Sequence, residues 1–365
     1  MTRRDDDPDD RRVDPESNER RRAPRARDLD PISPEEAVAW YLRRRRNELA
    51  NSSLRTHQSS LEHFTRWTEQ VGIENLNDLD GRAIQRYLTW RVEEAPTSVD
   101  QLAPKSEKTQ IDITRKFIEY CESIDAVHQR LHEKILPFRI KTADEVRDEM
   151  LPMERIEEIL RHLETYHYAS RDHVIWALLA ESGARIGALR SLDVKDFDSE
   201  NQTLQFRYRP ETGTSLKNDI GSERLVGLIR DGTVEVVQDH IHSQRAQVTD
   251  EHGREPLLTT ANGRIGRSTI RKIIYRWSCP AEIGQGCHHD ESMTCSDAWR
   301  CQNNACPHMI RRGVITHLLR EDVPIDYVSD RCDVSPGVIR THYDQRSESE
   351  RMEVRSQVIA EKLAD

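Results

Sequence analysis

The longest apolar run in the chain, Val174 to Ala180, is only seven residues long and is closed by His173 on one side and Glu181 on the other. A hydrocarbon bilayer needs about 20 consecutive apolar residues to be crossed by a helix, so this run predicts a buried helix of a water-soluble fold instead. The rest of the core must be assembled from amphipathic faces. The chain has 365 residues, 35% hydrophobic and 33% charged, enough for two packed domains and a tail. Its first residues, Met1-Thr-Arg-Arg-Asp-Asp-Asp, carry no apolar signal segment, which points to a cytoplasmic protein.

Residues 1–31 are blocks of Asp and Arg with almost nothing apolar and read as a disordered, charged tail. At Ser33-Pro-Glu-Glu a cap residue precedes Pro and two acids, an N-terminal helix signal. Val38, Tyr41 and Leu42 then share a face. Leu61, Phe64 and Trp67 mark a second helix, Ile84, Tyr87, Leu88 and Trp90 a third, and Ile111, Ile113, Phe117, Ile118 and Cys121 a fourth. Residues 32–138 are therefore expected to form an all-α domain. The polar stretch 139–150 reads as a linker. Residues 151–361 are expected to be mostly α with a small antiparallel sheet. Its helices are predicted near 153–160, 173–180, 233–247, 268–277, 308–320 and 324–330, and a hairpin is predicted from Thr203–Arg209 and Arg224–Leu228.

Net charge is −10, from 55 basic and 65 acidic residues, and only nine of the basic residues are lysines. An acidic, lysine-poor surface suits hydration in concentrated salt, so a halophilic origin is expected. Overall acidity opposes phosphate binding, but local basic patches matter more than the sum. Arg43, Arg44, Arg45 and Arg46, then Arg55 and His57, then Lys105, Lys108, Arg115 and Lys116 concentrate base in the helical domain. Of these, Arg43, Arg44, Arg55, Lys105, Lys108 and Lys116 are the candidate DNA contacts. Arg267 and Arg271 are the candidates in the second domain.

One constellation there carries chemistry. Arg185 follows Ser182-Gly183-Ala184 and opens a helical pattern, so it sits at a helix N-terminus that favours an anion. His308 and Arg311, at i and i+3 of a helix, share a face. Tyr343 follows in Thr341-His342-Tyr343-Asp344. Two guanidinium groups can neutralise a phosphodiester and its pentacoordinate state. A phenolate can bond covalently to phosphorus, and a Lys or His can protonate the leaving oxygen. The order Arg185, Lys217, His308/Arg311, Tyr343 resembles the tyrosine recombinase (phage integrase, Xer-like) family, in its salt-adapted form. Ser182-Gly-Ala-Arg-Ile-Gly-Ala-Leu-Arg-Ser-Leu resembles that family's first-arginine box. His308-Met-Ile-Arg311 resembles its His-x-x-Arg box, and Tyr343, 32 residues after Arg311, suits its nucleophile.

The resemblance implies a SAM-like helical core-binding domain followed by an α+β catalytic domain, the two clamping duplex DNA. It implies site-specific cutting and rejoining through a 3′-phosphotyrosine, with no cofactor for catalysis and a homotetramer on paired sites. Arg185 and Arg311 would hold the scissile phosphate, with His308 assisting and Tyr343 attacking. Lys217, in the hairpin loop, would be the family's catalytic lysine. Two departures stand out. Ala188 replaces the usual glutamate of the first box. Val334 stands where the family has a second His or Trp, which leaves open whether Arg331 substitutes. A non-catalytic DNA-binding protein of the same fold, or a type IB topoisomerase-like relaxing enzyme, are the alternatives. The C-terminal segment 347–363 is expected to be a helix able to dock on a neighbouring copy.

Five of the seven cysteines lie between 279 and 306, in an insert spanning 277–307. In a cytosolic chain such crowding reads as metal chemistry before disulfides. Cys279, Cys287, Cys295 and Cys301 are the expected ligands of a structural Zn²⁺, with Cys306 the first substitute and His288 and His289 nearby.

Overall fold

The computed structural model describes residues 29–95, 102–139, 149–286, 298 and 300–344, with scattered positions between 349 and 360. The chain divides into two compact units, Met1–Glu145 and Val146–Asp365. The division falls within the segment expected to be a linker, of which 140–148 lie outside the described residues, as do residues 1–28 of the expected tail.

Among the described residues the first unit packs four α-helices: α1 (Pro34–Arg45), α2 (Asn51–Val71), α3 (Gly81–Glu93) and α4 (Pro104–Ser123). Ser33 caps α1, its Oγ accepting from the Glu36 amide at 3.2 Å. Asp80 does the same for α3 through the Ala83 amide at 2.7 Å. The aromatic positions read from the sequence form the core: Tyr41, Phe64, Trp67, Tyr87 and Phe117 are all buried. Phe64 meets Tyr87 and Phe117 edge-on, with ring centroids 5.2 and 5.4 Å apart, the arrangement ring quadrupoles favour.

The second unit begins with α5 (Met153–Tyr166) and α6 (Arg171–Ser182). From His173 to Ser182 every residue of α6 is buried, as its apolar run demands. Gly183, at φ +55°, closes α6, and the chain turns into the short α7 (Ile186–Ser191). A three-stranded antiparallel sheet follows, β1 (Phe197–Asp198), β2 (Thr203–Phe206) and β3 (Arg224–Gly227), in that order, with Leu204 opposite Val226 and Phe206 opposite Arg224. The expected hairpin is present, two strands long as read, and β1 adds an edge strand. The helix expected over 233–247 is α8 (Thr233–Asp239), followed by a π turn over His240–Gln244. A second, two-residue hairpin, β4 (Thr259–Thr260) and β5 (Gly263–Arg264), precedes α9 (Arg267–Ser278).

The last helices are α10 (Pro307–Arg320), α11 (Ile325–Cys332) and α12 (Pro336–His342). Gly313 lets α10 close onto the segment before α5: a Cβ there would stand 1.9 Å from the Leu151 carbonyl oxygen. The Leu151 amide bonds the Met309 carbonyl at 3.1 Å beside this contact. Ile315, Leu319, Val328, Cys332, Val334, Ile339 and Tyr343 pack into a core of their own beneath α10–α12. In the expected C-terminal helix, residues 349, 352, 353, 356, 359 and 360 are helical, with Met352 and Ile359 exposed.

Candidate active site

Arg185 is the N-cap residue of α7. His308 and Arg311 lie in the first turns of α10, which starts at Pro307. Tyr343 closes α12 as its C-cap residue. Lys217 lies in the long β2–β3 connection, two residues before the short turn Asp219–Ser222. The structure brings all five together. Arg311, Arg185 and Lys217 all push the His308 pKa below its ordinary value, after desolvation, which contributes most. The exposed imidazole is therefore held neutral near neutral pH. Tyr343 in turn favours the charged form of Arg311.

Arg311 differs from its expected setting. It shares a helix face with the exposed His308, yet its side chain is almost fully buried, 2% exposed. Nη1 donates to the carbonyls of Gly183, at 2.7 Å, and Cys332, at 2.5 Å, and Nη2 donates to that of Asp333, at 3.0 Å. Nε is buried with no partner among the described residues. Desolvation lowers its pKa, and Arg185 lowers it further. A buried cation without a counter-charge is costly. Carbonyl dipoles satisfy part of it and leave Nε unpartnered among the described residues.

Arg185 is paired with a carboxylate, its Nη1 lying 2.5 Å from Asp333 Oδ2. Asp333 has φ +53° and sits just past α11. Its carboxylate also accepts from Ser222 Oγ at 2.9 Å and Asn218 Nδ2 at 3.2 Å. Val334, at the position of the family's second His or Trp, is buried with the apolar cluster and offers no hydrogen bond from its side chain. Arg331 does not stand in for it. Its guanidinium is spent on Glu181, through the backbone carbonyl and Oε1, and on the Gly227 carbonyl.

Two arginines of the site were not singled out from sequence. Arg312 lies over the Tyr343 ring, 5.6 Å from its centroid. Arg224, on β3, lies 4.1 Å over Phe206, and burial pushes its pKa down to about 10. Arg185 and Arg311 lower it further, and Nη2 has no partner among the described residues. Arg312 directly follows Arg311 and Arg224 opens a hairpin strand, but neither position by itself points to the site.

The expected DNA contacts of the first unit are mostly exposed. Arg43, Arg44, Arg55, Lys105 and Lys116 are on the surface and Lys108 is half-buried. Arg45 and Lys116, from α1 and α4, both act on His57 of α2, so these three helices gather base in one region. His57 itself is no phosphate contact: it is buried and its Nδ1 is 2.9 Å from the Tyr41 hydroxyl. A further cluster was missed. Arg91 is buried, with Nε and Nη1 unpartnered among the described residues, beside Arg66, which lies 5.6 Å over Trp90. In the second unit Arg267 and Arg271 are exposed on α9, and the Arg267 guanidinium packs against Gly187 of α7.

Of the expected zinc ligands, Cys279 and Cys301 are buried in one small cluster with Ala298, and Cys306 caps α10. Cys287, Cys295, His288 and His289 lie outside the described residues. Among the described residues no group of three His, Cys, Asp or Glu side chains is arranged to hold a metal, and no helix is long and apolar enough to cross a membrane.

Residues 149–343 match the phage integrase family, and residues 37–123 match the phage integrase N-terminal SAM-like domain. No curated protein matches the chain. Among solved structures, a Tn1549 transposon integrase in complex with a circular intermediate DNA is 14% identical, with a TM-score of 0.61 over 89% of this chain and 99% of the other. A lambda integrase tetramer bound to a Holliday junction is 10% identical, with a TM-score of 0.58 over 87% and 80%. The XerA recombinase is 15% identical over 88% and 98%, with a TM-score of 0.41.

Proposed function

The chain belongs to the phage integrase family, whose members are site-specific DNA recombinases, and from that premise we propose how its own residues cut and rejoin a strand. Tyr343 Oη attacks the scissile phosphorus, and the bond to the 5′-oxygen breaks, leaving a 3′-phosphotyrosine and a free 5′-hydroxyl. The neutral His308 accepts the phenolic proton and Lys217 donates one to the departing oxygen. Arg185 and the unpartnered Nε of Arg311 neutralise the phosphate, with Arg312 and Arg224 adding positive potential. No step calls for a cofactor. The observation that carries this reading is the convergence of Arg185, Lys217, His308, Arg311 and Tyr343, from four separate segments, on one another's charges.

The substrate is double-stranded DNA, contacted through Arg43, Arg44, Arg55, Lys105, Lys108 and Lys116 of the first unit and Arg267 and Arg271 of the second. A homotetramer assembles on paired sites, as the lambda integrase structure does on a Holliday junction. The protein acts in the cytoplasm of a salt-adapted cell, which nine lysines against 46 arginines and a net charge of −10 support. A structural Zn²⁺ binds the cysteine insert. Two of its thiols, Cys279 and Cys301, are already gathered in one buried cluster, which fits a tetrahedral thiolate site completed by Cys287 and Cys295.

The reading is tested with nicked suicide duplexes carrying the protein's recombination site, at molar salt, on denaturing gels. The wild-type protein forms a covalent adduct and Tyr343→Phe binds the duplex without forming one. DNA binding with no adduct from the wild-type protein would contradict the reading. Relaxation of supercoils with no strand exchange would reassign it to a topoisomerase.

A further inference from the structure

We propose that Asp333 is a positioning residue of the cleavage site, which fixes Arg185 and the loop presenting Lys217 in one geometry. The inference rests on the assignment of those two residues above. Asp333 is bonded to three segments that are far apart in sequence. Oδ2 takes hydrogen bonds from Arg185 Nη1, at 2.5 Å, and Ser222 Oγ, at 2.9 Å. Oδ1 takes one from Asn218 Nδ2, at 3.2 Å, and the backbone carbonyl takes one from Arg311 Nη2, at 3.0 Å. Asn218 follows Lys217 directly, and Ser222 in turn accepts from the Asn218 amide at 3.2 Å. A single carboxylate, 12% exposed, thus ties the first arginine to both ends of the turn beside the lysine.

The backbone requires such a role to be supported. Asp333 lies in the left-handed region, φ +53° and ψ 60°, which costs a non-glycine residue about 1–2 kcal/mol and which Asp tolerates better than most. Four hydrogen bonds, two of them from the guanidinium groups of Arg185 and Arg311, offset that cost. The chain also lacks a carboxylate at Ala188, three residues after Arg185, and among the described residues Asp333 is the carboxylate paired with that arginine. Only Nη1 of Arg185 is committed to a hydrogen bond among the described residues. A planar guanidinium held along one edge presents its other edge in a fixed direction, here left for phosphate.

The opposite role is equally concrete: a carboxylate that competes with the phosphate for Arg185 and slows cleavage. Asp333→Asn keeps the shape and loses the charge, and Asp333→Gly keeps the backbone conformation and loses every side-chain bond. Both are compared with wild type for duplex affinity, for single-turnover cleavage of suicide duplexes, and for cleavage of duplexes with a 5′-bridging sulfur at the scissile position. A thiolate leaves without a proton, so the sulfur substrate bypasses Lys217. Both variants are expected to bind DNA within about threefold of wild type and to cleave the oxygen substrate at least about tenfold more slowly. Part of that loss is expected to be recovered with sulfur. Cleavage at or above the wild-type rate makes Asp333 a competing anion and overturns the proposal, as does a loss of affinity that accounts for the whole defect. A Gly variant that fails to fold leaves the Asn variant to decide. If wild-type protein gives no Tyr343 adduct, it is the catalytic assignment that fails instead.

Discussion

At the residue scale, Arg311 shows how one side chain serves both the fold and the chemistry. Its guanidinium bonds carbonyls of Gly183, Cys332 and Asp333, joining the end of α6 to the end of α11. Arg311→Lys cannot reproduce that fork, because an ammonium is a point donor on a different stem. It is expected to destabilise the second unit by about 2–4 kcal/mol, the range for breaking a buried hydrogen-bonded charge, and to abolish adduct formation. Denaturant unfolding and the suicide-duplex assay read the two effects separately. The pairing of His308 with Arg311 was legible because helical spacing fixes which residues share a face. The burial of Arg311 was not, since the carbonyls around it come from segments 21 to 128 residues away. Asp333 was hidden for the same reason: its partners at 185, 218 and 222 converge only in three dimensions.

At the element scale, long helices were read well and short pieces poorly. The helices of the first unit carry apolar residues at 3.6-residue spacing over several turns, and their cores formed as expected. β4 and β5, two residues each, carry too little pattern to be distinguished from a loop, and the π turn after α8 ends a helix that periodicity alone extends to 247. Glycines at close approaches position the site. Gly183 turns the chain between α6 and Arg185 at φ +55°, and a Cβ there would meet the Cys332 sulfur at 2.8 Å. The buried α6 carries a pH dependence too. His173 is held neutral by burial, its pKa lowered to about 4 from an ordinary 6.5. Between those values the unfolded chain binds the proton and the folded one does not. The stability is therefore fully present above about pH 6.5 and is lost as pH falls toward 4. The share of His173 is about 2–3 kcal/mol. His173→Leu is expected to flatten the fall in stability between pH 7 and 4.5, measured by urea unfolding; an unchanged slope would show that His173 protonates freely.

At the scale of the whole molecule, the break in apolar patterning at 139–150 contains the division between the two units at Glu145–Val146. Net charge was a poorer guide. A total of −10 hides the gathering of arginines at the site and on α1, α2 and α4, because charge acts over a Debye length of roughly 8–10 Å and not over the sum. The cysteine insert is the other large-scale feature. One zinc per chain is expected by elemental analysis, released when Cys279→Ser and Cys301→Ser are combined. A zinc-free wild-type chain with unaltered stability would remove the metal from the account.

Cleavage through the proposed site joins Tyr343 covalently to DNA. The most direct measurement is to trap the adduct on a suicide duplex, digest the DNA with nucleases and the protein with a protease, and sequence the modified peptide by mass spectrometry. A nucleotide attached through its 3′-phosphate to Tyr343 is expected, within the peptide containing Thr341-His342-Tyr343-Asp344. A nucleotide on any other residue, or an adduct that persists in Tyr343→Phe, would contradict it.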